Sequence, residues 1–277
     1  MDKVGNDMAV DGQETNFSEL NEVLRLKEEL ESAKKQAERS SHAKSEFLSR
    51  MSHEMLTPMN AVLGMVQIAE ISNDMDKIKN CLDEIGKASL HMVRLIKNVL
   101  DVAGGGRTIT FESKEFAVDS MMDYVLGRIN PEIESKNQVL RLSISEAIPD
   151  ILVGDERRIA QVIIHLMTNA SNYSPKKSEI EFFANVKERE NGIITLQFDI
   201  IDKGIGIPKE RHSIIFDIFE QMDGGLNRKH DGIGIGLALS KLIAEMMGGK
   251  LWFESEVDKG SKFSFTCKIK EVIGDVN

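Results

Sequence analysis

A histidine next to a carboxylate, within Ser52-His53-Glu54, is the pair of side chains in this sequence best suited to chemistry. An imidazole titrates near neutral pH, so the pair could serve nucleophilic or acid–base catalysis. Apolar residues around it recur every three or four positions, as on the buried face of an amphipathic helix: Phe47, Met51, Met55, Pro58, Val62, Met65 and Ala69. His53 lies off this stripe, so we expect its ring to face solvent. A surface histidine without a function is the simpler interpretation of this segment alone, although a proline bend one turn later is costly and favours a function.

A second group of polar side chains lies on a predicted helix from about Asp155 to Asn172. These side chains form one stripe, at spacings of three and four: Arg158, Gln161, His165, Asn169 and Asn172. A merely solvated face would favour Lys and Glu, whereas amides and an imidazole suit a ligand or a hydrated ion. Amides alone are a weak signal, so the stripe indicates a binding face without identifying what it binds.

Two glycine-rich segments could bring a ligand close to the backbone. Asp202 ends an apolar strand, and the glycines that follow it would admit a flat group while the carboxylate accepts from an amine. A tight turn is the simpler interpretation of that segment. Residues 232–236, Gly-Ile-Gly-Ile-Gly, open a helix whose N-terminus would attract a polyphosphate. Their spacing matches neither a Walker loop nor a Rossmann unit, so this signal is also weak alone.

The elements that must position these residues begin with a long helical region. Residues 1–16 contain few apolar side chains, so we expect them to be disordered. Residues 17–43 carry a heptad repeat with polar breaks near its end, which favours a parallel dimeric coiled coil over an unpaired solvated helix. Residues 44–103 contain the His53 stripe, a turn near Ser72 and a second stripe, so they predict a helical hairpin. Two hairpins would bury both stripes in a dimeric four-helix bundle.

Beyond the hairpin, three consecutive glycines predict a hinge at residues 104–107. Residues 108–271 alternate between strand and helix patterns, which predicts an α+β sandwich of one helical layer against one mixed sheet, followed by a tail at 272–277. We expect strands at 108–111, 139–144, 193–201, 251–255 and 262–267, and helices near 117–129, 155–172, 215–219 and after 236. Residues 221–231 are rich in Gly, Asn, Asp and Lys and are expected to form a mobile lid.

Composition excludes several classes of protein. With 277 residues, 41% hydrophobic and 29% charged, the chain fits about two globular domains, each with its own core. The net charge of -10 argues against a general nucleic-acid binder. No apolar run approaches the roughly 20 residues of a membrane span and no signal peptide is present, so a cytoplasmic chain is the default. Cys81 and Cys267 lie far apart on apolar stripes, which predicts reduced core residues.

Taken together, these segments resemble the transmitter module of a sensor histidine kinase, from about Ser41 to Ile269. The motifs of that family occur in its usual order. The phospho-acceptor box comprises Phe47, Leu48, Met51, Ser52, His53, Glu54, Thr57, Pro58 and Asn60. The nucleotide-binding boxes comprise Gln161, Asn169, Ala170 and Tyr173; Asp202, Gly204 and Gly206; Phe216, Phe219 and Glu220; Gly232, Gly234 and Gly236; and Gly260, Phe263 and Phe265. Each box is modest alone, but six in order form a highly specific signal.

The resemblance implies a role for each matching residue. His53 would take the γ-phosphoryl group of ATP, Glu54 would accept the displaced proton, and Thr57 would orient water for the reverse, phosphatase reaction. Asn169 would ligate Mg²⁺ and Asp202 would bind the adenine amine. The remaining ATP-binding residues would be His165, Asn172, Tyr173 stacked on the base, Gly204, Gly206, Ile207, Phe219, Gly232, Gly234, Gly236 and Leu237. The implied partners are a second copy of the chain, a response-regulator receiver domain that accepts the phosphoryl group on an aspartate, and an upstream sensor domain.

Three positions depart from the family pattern. Leu56 stands where an Arg is usual, His165 replaces an Asn, and Asn172 replaces a Lys or Arg. These changes motivate a rival interpretation, a degenerate transmitter that serves as a nucleotide-binding dimeric scaffold. A third possibility is an ATP-driven clamp like the gyrase and chaperone relatives of the nucleotide domain, although those proteins lack the His53 hairpin. The sequence does not specify the stimulus or the receiver partner. It also leaves open whether transfer occurs within one chain or across a dimer.

Overall fold

The computed structural model of the chain describes residues 7–104, 109–217 and 234–272. The chain divides into two compact units, Met1–Arg50 and Met51–Asn277. Among the described ranges, no helix combines the length and the apolar character that crossing a lipid bilayer requires.

The first unit belongs to helix α1, which spans Asp7–Ile71. The helix therefore begins inside the segment that we expected to be disordered, because extending an existing helix by one residue costs far less than starting one. Within this unit Leu26 and Leu30 are exposed, and Arg25 and Glu29 form an ion pair one turn apart at 3.0 Å. Phe47 lies on α1, but its side chain lies outside the described residues.

The second unit starts with a helical hairpin made of the end of α1 and helix α2, Met75–Ala103. The predicted turn near Ser72 is confirmed, since the Asp74 side chain caps α2 by accepting from the backbone N–H groups of Asp76 and Lys77. The two predicted stripes hold the least exposed apolar residues of the hairpin, with Pro58 and Cys81 buried. Gly104 caps the end of α2, and the rest of the predicted hinge lies outside the described residues.

A mixed seven-stranded sheet with helices packed on it completes the second unit. The strands are β1 Lys114–Ala117, β2 Val139–Ile144, β3 Ile151–Gly154, β4 Glu179–Glu190, β5 Ile193–Asp202, β6 Leu251–Glu256 and β7 Gly260–Glu271. Their order is β1-β3-β7-β5-β4-β2, with β6 also paired to β7. Only the β2–β4 pair is parallel among the described strands. The helices are α3 Val118–Ser135, α4 Glu156–Tyr173 and α5 Gly236–Met246, and a single 3₁₀ turn spans Lys209–Arg211.

The core lies between α4 and the centre of the sheet. The Phe198 and Phe265 rings stack at 4.7 Å on neighbouring strands β5 and β7. The buried face of α4 supplies the predicted apolar residues, among them Ile159, Ile163 and Leu166. Cys267 is fully buried and both cysteines are free thiols, as predicted.

Three details differ from the sequence expectations, and a fourth expectation is not tested. The strand expected at 108–111 is absent from its described part, and β1 begins at Lys114 instead. Strands β3 and β4 were not predicted, because β3 is only four residues long and the outer half of β4 is charged and exposed. Around Ile215 the described backbone forms turns rather than a helix. The proposed lid at 221–231 lies outside the described residues.

Candidate functional site

A cavity of about 620 Å³ lies between the hairpin and the sheet domain of the second unit. Its walls come from the His53 turn of α1, the middle of α2, the polar face of α4, the end of β5 and the start of α5. Pockets for cofactors and drug-sized ligands usually measure about 300–1,000 Å³, so this cavity has room for a nucleotide.

One wall of the cavity is formed by the hairpin and contains His53. His53 is exposed and lines the cavity together with Glu54, Thr57 and Pro58. The Thr57 hydroxyl donates to the His53 carbonyl oxygen at 3.1 Å, one helical turn earlier. That bond fixes the Thr57 side chain on the same side of α1 as the cavity.

The opposite wall is the C-terminal half of α4, with His165, Asn169, Asn172 and Tyr173. Asn169 Nδ2 lies 3.4 Å from His165 Nε2, and His165 Nδ1 lies 3.1 Å from the Ser240 hydroxyl on α5. The neutral tautomer with its proton on Nδ1 satisfies both contacts. Burial lowers the pKa of His165 to about 4, so the ring is neutral at pH 7. Asn169 then keeps its Oδ1, an acceptor, for the cavity.

At the end of β5, Asp202 is almost completely buried. Its Oδ1 accepts from the backbone N–H groups of Gly204 at 2.8 Å and Ser261 at 3.3 Å. Burial raises the pKa of this carboxyl to about 6, and the two backbone hydrogen bonds oppose that rise. No donor among the described residues is bonded to the second oxygen, Oδ2. Asp202 can therefore accept a hydrogen bond from a ligand.

The glycines allow backbone segments to approach each other closely at both ends of the cavity. Gly206 has a φ of +67°, and a Cβ there would lie 2.0 Å from the Glu256 carbonyl oxygen. A Cβ on Gly236 would lie 1.8 Å from His165 Nε2, so the start of α5 can pack against that ring only because residue 236 is a glycine. Close packing around the cavity thus requires glycine at positions 206 and 236.

Comparison with known families assigns the two domains. Residues 43–104 match the His Kinase A (phospho-acceptor) domain, and residues 154–271 match the histidine kinase-, DNA gyrase B- and HSP90-like ATPase family. The chain belongs to the histidine kinases. The predicted resemblance and the predicted order of a helical domain before an ATPase domain are both confirmed.

Individual relatives agree with this assignment. The signal transduction histidine-protein kinase BarA of Escherichia coli (strain K12) is 32% identical over 254 residues, which are 90% of this histidine kinase and 28% of BarA. The sensory/regulatory protein RpfC of Xanthomonas campestris pv. campestris is 30% identical over 235 residues, 84% of this chain and 32% of RpfC. The chain thus spans about a third or less of these relatives. A crystal structure of full-length ShkA in complex with AMPPNP shares the fold, with a TM-score of 0.59 and 23% identity over 81% of this chain and 46% of that one.

The histidine kinase brings most of the predicted site residues to one cavity. The predicted residues that line it are His53, Glu54, Thr57, His165, Asn169, Asn172, Tyr173, Asp202, Gly206, Ile207, Gly234, Gly236 and Leu237. Gly204 does not line it, but its N–H holds Asp202 and its backbone packs on the carbonyl oxygen of Tyr173. Phe219 and Gly232 lie outside the described residues.

The polar stripe of α4 is divided between two tasks. Its first half contacts α2, where Arg158 and Asp101 form a nearly completely buried ion pair at 3.2 Å. Arg158 Nη1 also donates to Gln161 Oε1 at 3.0 Å, and Gln161 reaches Asn98 of α2 at 3.5 Å. Only the second half of the stripe, from His165, lines the cavity. The sequence predicted the whole stripe as a binding face, whereas the structure places only its second half at the cavity.

Sequence reasoning missed two charged or titratable residues of the cavity. His91 is exposed on α2 and lines the hairpin wall of the cavity, which also carries His53. Arg211, at the end of the 3₁₀ turn, lines the cavity as well. His91 stands off the apolar stripe of α2, which was the available signal; nothing in the local sequence of Arg211 separates it from a surface arginine.

Proposed function

We propose that this chain is an ATP-dependent protein histidine kinase that phosphorylates its own His53 and then passes the phosphoryl group to an aspartate of a receiver domain. The observation that carries the proposal is the shared cavity, which His53 lines on one wall and the nucleotide-motif residues Asn169 and Asp202 line on the other. Phosphoryl transfer needs mainly positioning and charge stabilisation, and a common cavity supplies the positioning.

In the transfer step the imidazole of His53 attacks the γ-phosphorus of ATP. A nitrogen–phosphorus bond forms, the bond from the γ-phosphorus to the bridging oxygen breaks, and ADP leaves. The displaced imidazole proton passes to Glu54, the adjacent carboxylate, which also lines the cavity. Thr57 orients a water molecule for the reverse reaction on the phosphorylated receiver, and its bond to the His53 backbone supports that position.

The other walls of the cavity carry groups that match the amine, the base and the phosphates of ATP. Asp202 Oδ2 accepts from the adenine amine, Tyr173 lies against the base, and the backbone at Gly234 and Gly236 faces the phosphates from the N-terminus of α5. Bound Mg²⁺ would neutralise charge on the phosphates, and Asn169 Oδ1 is the group that would hold it. The described residues contain no group of three His, Cys, Asp or Glu side chains able to hold a metal alone. A Mg²⁺ site built from one amide oxygen, water and phosphate oxygens agrees with that finding.

The acceptor and the donor site belong to the same chain, and this supports transfer within one subunit. The buried Arg158–Asp101 ion pair supports the same conclusion, because it attaches α4 of the ATPase domain to α2 of its own hairpin. His53 would then receive the phosphoryl group from ATP held by its own subunit.

A homodimer is supported by apolar side chains that the single chain leaves in solvent. On α1 they follow spacings of three and four, and α2 carries a similar set: Leu56, Met59, Leu63 and Val66, then Leu82, Leu90, Val93, Ile96 and Leu100. A second hairpin would cover them in a four-helix bundle. Exposed Leu26 and Leu30 support a coiled coil before the hairpin. We further propose a cytoplasmic location, and an upstream sensor domain in keeping with relatives more than twice as long.

Incubation of the purified chain with γ-labelled ATP and Mg²⁺ tests the proposal. We expect acid-labile, base-stable label on the wild type, label on His91→Gln, and background counts on His53→Gln. An unlabelled wild type that binds ATP would make the protein a signalling scaffold, and steady ATP hydrolysis without label would make it an ATP-driven clamp.

The same assay separates transfer within a chain from transfer across the dimer. His53→Gln and Asn169→Ala chains, carrying different tags, are assembled into mixed dimers before labelling. Transfer within one chain predicts no label in the mixture, because neither chain has both groups. Label on the Asn169→Ala chain would show transfer across the dimer and leave the kinase assignment intact.

A further inference from the structure

Lys136, directly after α3, makes a dense set of contacts at the edge of the nucleotide wall. Its Nζ lies 2.6 Å from Asn172 Oδ1, 2.8 Å from Glu132 Oε1 and 3.2 Å from Ser171 Oγ. An ammonium group has three N–H donors and no acceptor, so these contacts use all of them. The Lys136 side chain is about one-fifth exposed and does not line the cavity itself.

This contact decides which end of the Asn172 amide enters the cavity. An amide has an accepting oxygen and a donating NH₂ group, and its hydrogen-bond partners decide which of the two faces which side. Lys136 can only donate, so Asn172 must present Oδ1 to it. The NH₂ group then points to the opposite side of the amide, and Asn172 lines the cavity. The structure gives Nδ2 no acceptor among the described residues.

We propose that Lys136 is a positioning residue that holds the Asn172 amide with its two N–H groups toward the phosphates of the bound nucleotide. This proposal rests on the proposed function. Asn172 lies three residues after Asn169 on the same face of α4, and both line the cavity. Because Asn169 is the proposed Mg²⁺ ligand and Asp202 the proposed adenine ligand, we assign Asn172 to the phosphates. A pair of donors there would hydrogen-bond an anionic oxygen, and such charge-assisted bonds are the stronger kind.

The arrangement also explains why a cation is absent at position 172. A Lys or Arg in place of Asn172 would bring a second positive group against the Lys136 ammonium, and like charges at that distance repel. The positive charge therefore lies behind the cavity wall, on Lys136 directly after α3. It acts on the ligand through the neutral amide of Asn172. Glu132 at 2.8 Å balances that charge, which keeps the effect one of orientation rather than of net charge.

The test compares two ligands on the full chain. The variants are Lys136→Met, Lys136→Arg and the wild type, and the probes are a non-hydrolysable ATP analogue and adenosine. We expect Lys136→Met to weaken the ATP analogue about tenfold, with adenosine binding unchanged and Lys136→Arg close to wild type. In labelling kinetics the KM for ATP should rise while kcat changes little. Equal losses for both ligands, or no loss for either, would overturn the proposal, whereas a wild type that binds neither ligand would instead remove the proposed function.

Asn172→Asp provides a second variant, whose expected loss of affinity cannot be attributed to misfolding. A carboxylate there would pair more strongly with Lys136, so we expect the thermal midpoint to stay level or rise. Its other oxygen would face the phosphates and repel them, so ATP-analogue affinity should fall further than in Asn172→Ala. Adding Lys136→Met to Asn172→Ala should cause no further loss. A further tenfold loss in that double variant would show that Lys136 acts by another route.

Discussion

The hairpin and the ATPase domain bury their apolar side chains to very different extents. In the ATPase domain the large rings Phe182, Phe198 and Phe265 are at most 2% exposed, because the sheet and the helices on it enclose them. In the hairpin, Leu63 and Leu90 are 54% and 63% exposed. Two helices can close only one stripe of each against the other, so a second apolar stripe is left uncovered. The described part of the ATPase domain buries its large rings within one chain, whereas the hairpin exposes an apolar stripe that we propose a second copy covers.

The largest expected effect is therefore on dimerisation. Leu63→Asp should raise the dimer dissociation constant about a thousandfold or more, since a symmetric dimer loses two buried leucines at about 2–3 kcal/mol each. Sedimentation measures the effect as a shift from dimer to monomer. Leu142→Asp on the edge strand β2 is the matched control, because Leu142 is also exposed and apolar but belongs to the ATPase domain. Equal masses for wild type and Leu63→Asp would show that the hairpin surface is not the dimer interface.

A buried ion pair joins the two regions, and breaking it should have the next largest effect. Asp101→Asn leaves Arg158 buried without its carboxylate, which costs about 3 kcal/mol or more. We expect a lower free energy of unfolding and faster hydrogen exchange at the end of α2 and the start of α4.

Glu112→Gln serves as the control for this ion pair. Glu112 pairs with Lys114 on the surface, where solvent screening makes such contacts contribute little to stability. If Asp101→Asn exchanged and unfolded like Glu112→Gln, the buried pair would not attach the ATPase domain to the hairpin.

The contrast between the regions also explains how much the sequence could predict. The turn near Ser72, the stripes of the hairpin and the buried face of α4 follow from local periodicity, and the structure agrees with each of them. The glycine and Asp202 segments were recognisable because the family signal combines many weak motifs. Local pattern was also enough to place His53 on the solvent side of α1.

The errors concern contacts between residues distant in sequence. The stripe on α4 has one spacing throughout, and nothing in it shows that α2 covers Arg158 while leaving Asn169 open. The pairing of Lys136 with Asn172 joins the ends of two helices that the sequence treats separately. Strand β4 buries Ile180 and Phe182 on a face of the sheet that other elements cover, which the local sequence does not show. The outer half of β4 is charged and exposed, and this hid the strand pattern.

The smallest expected effect is in the ATPase domain and concerns the titration of Asp202. Its pKa is raised to about 6 by burial, so the folded protein binds this proton more tightly than the unfolded chain, where the ordinary value is 3.8. The stabilisation from that proton is present below about pH 4 and is lost as the pH rises to 6, by about 3 kcal/mol at most. The affinity for adenine changes with pH in the opposite direction, because the adenine amine needs the ionised carboxylate of Asp202 as its acceptor.

Adenosine affinity should therefore be flat above pH 6 and fall toward tenfold per pH unit below it, as measured by calorimetric titration between pH 5 and 7. Adenosine is the probe because it lacks phosphate groups, which themselves titrate near about pH 6. His165 remains neutral across this range, since burial lowers its pKa to about 4, so it does not contribute to the slope. Asp202→Asn should bind adenosine weakly at pH 7, with an affinity that does not change over this pH range. Parallel changes of wild-type stability and affinity with pH would mean that Asp202 does not accept from the base, because one proton cannot favour both the empty fold and the bound nucleotide.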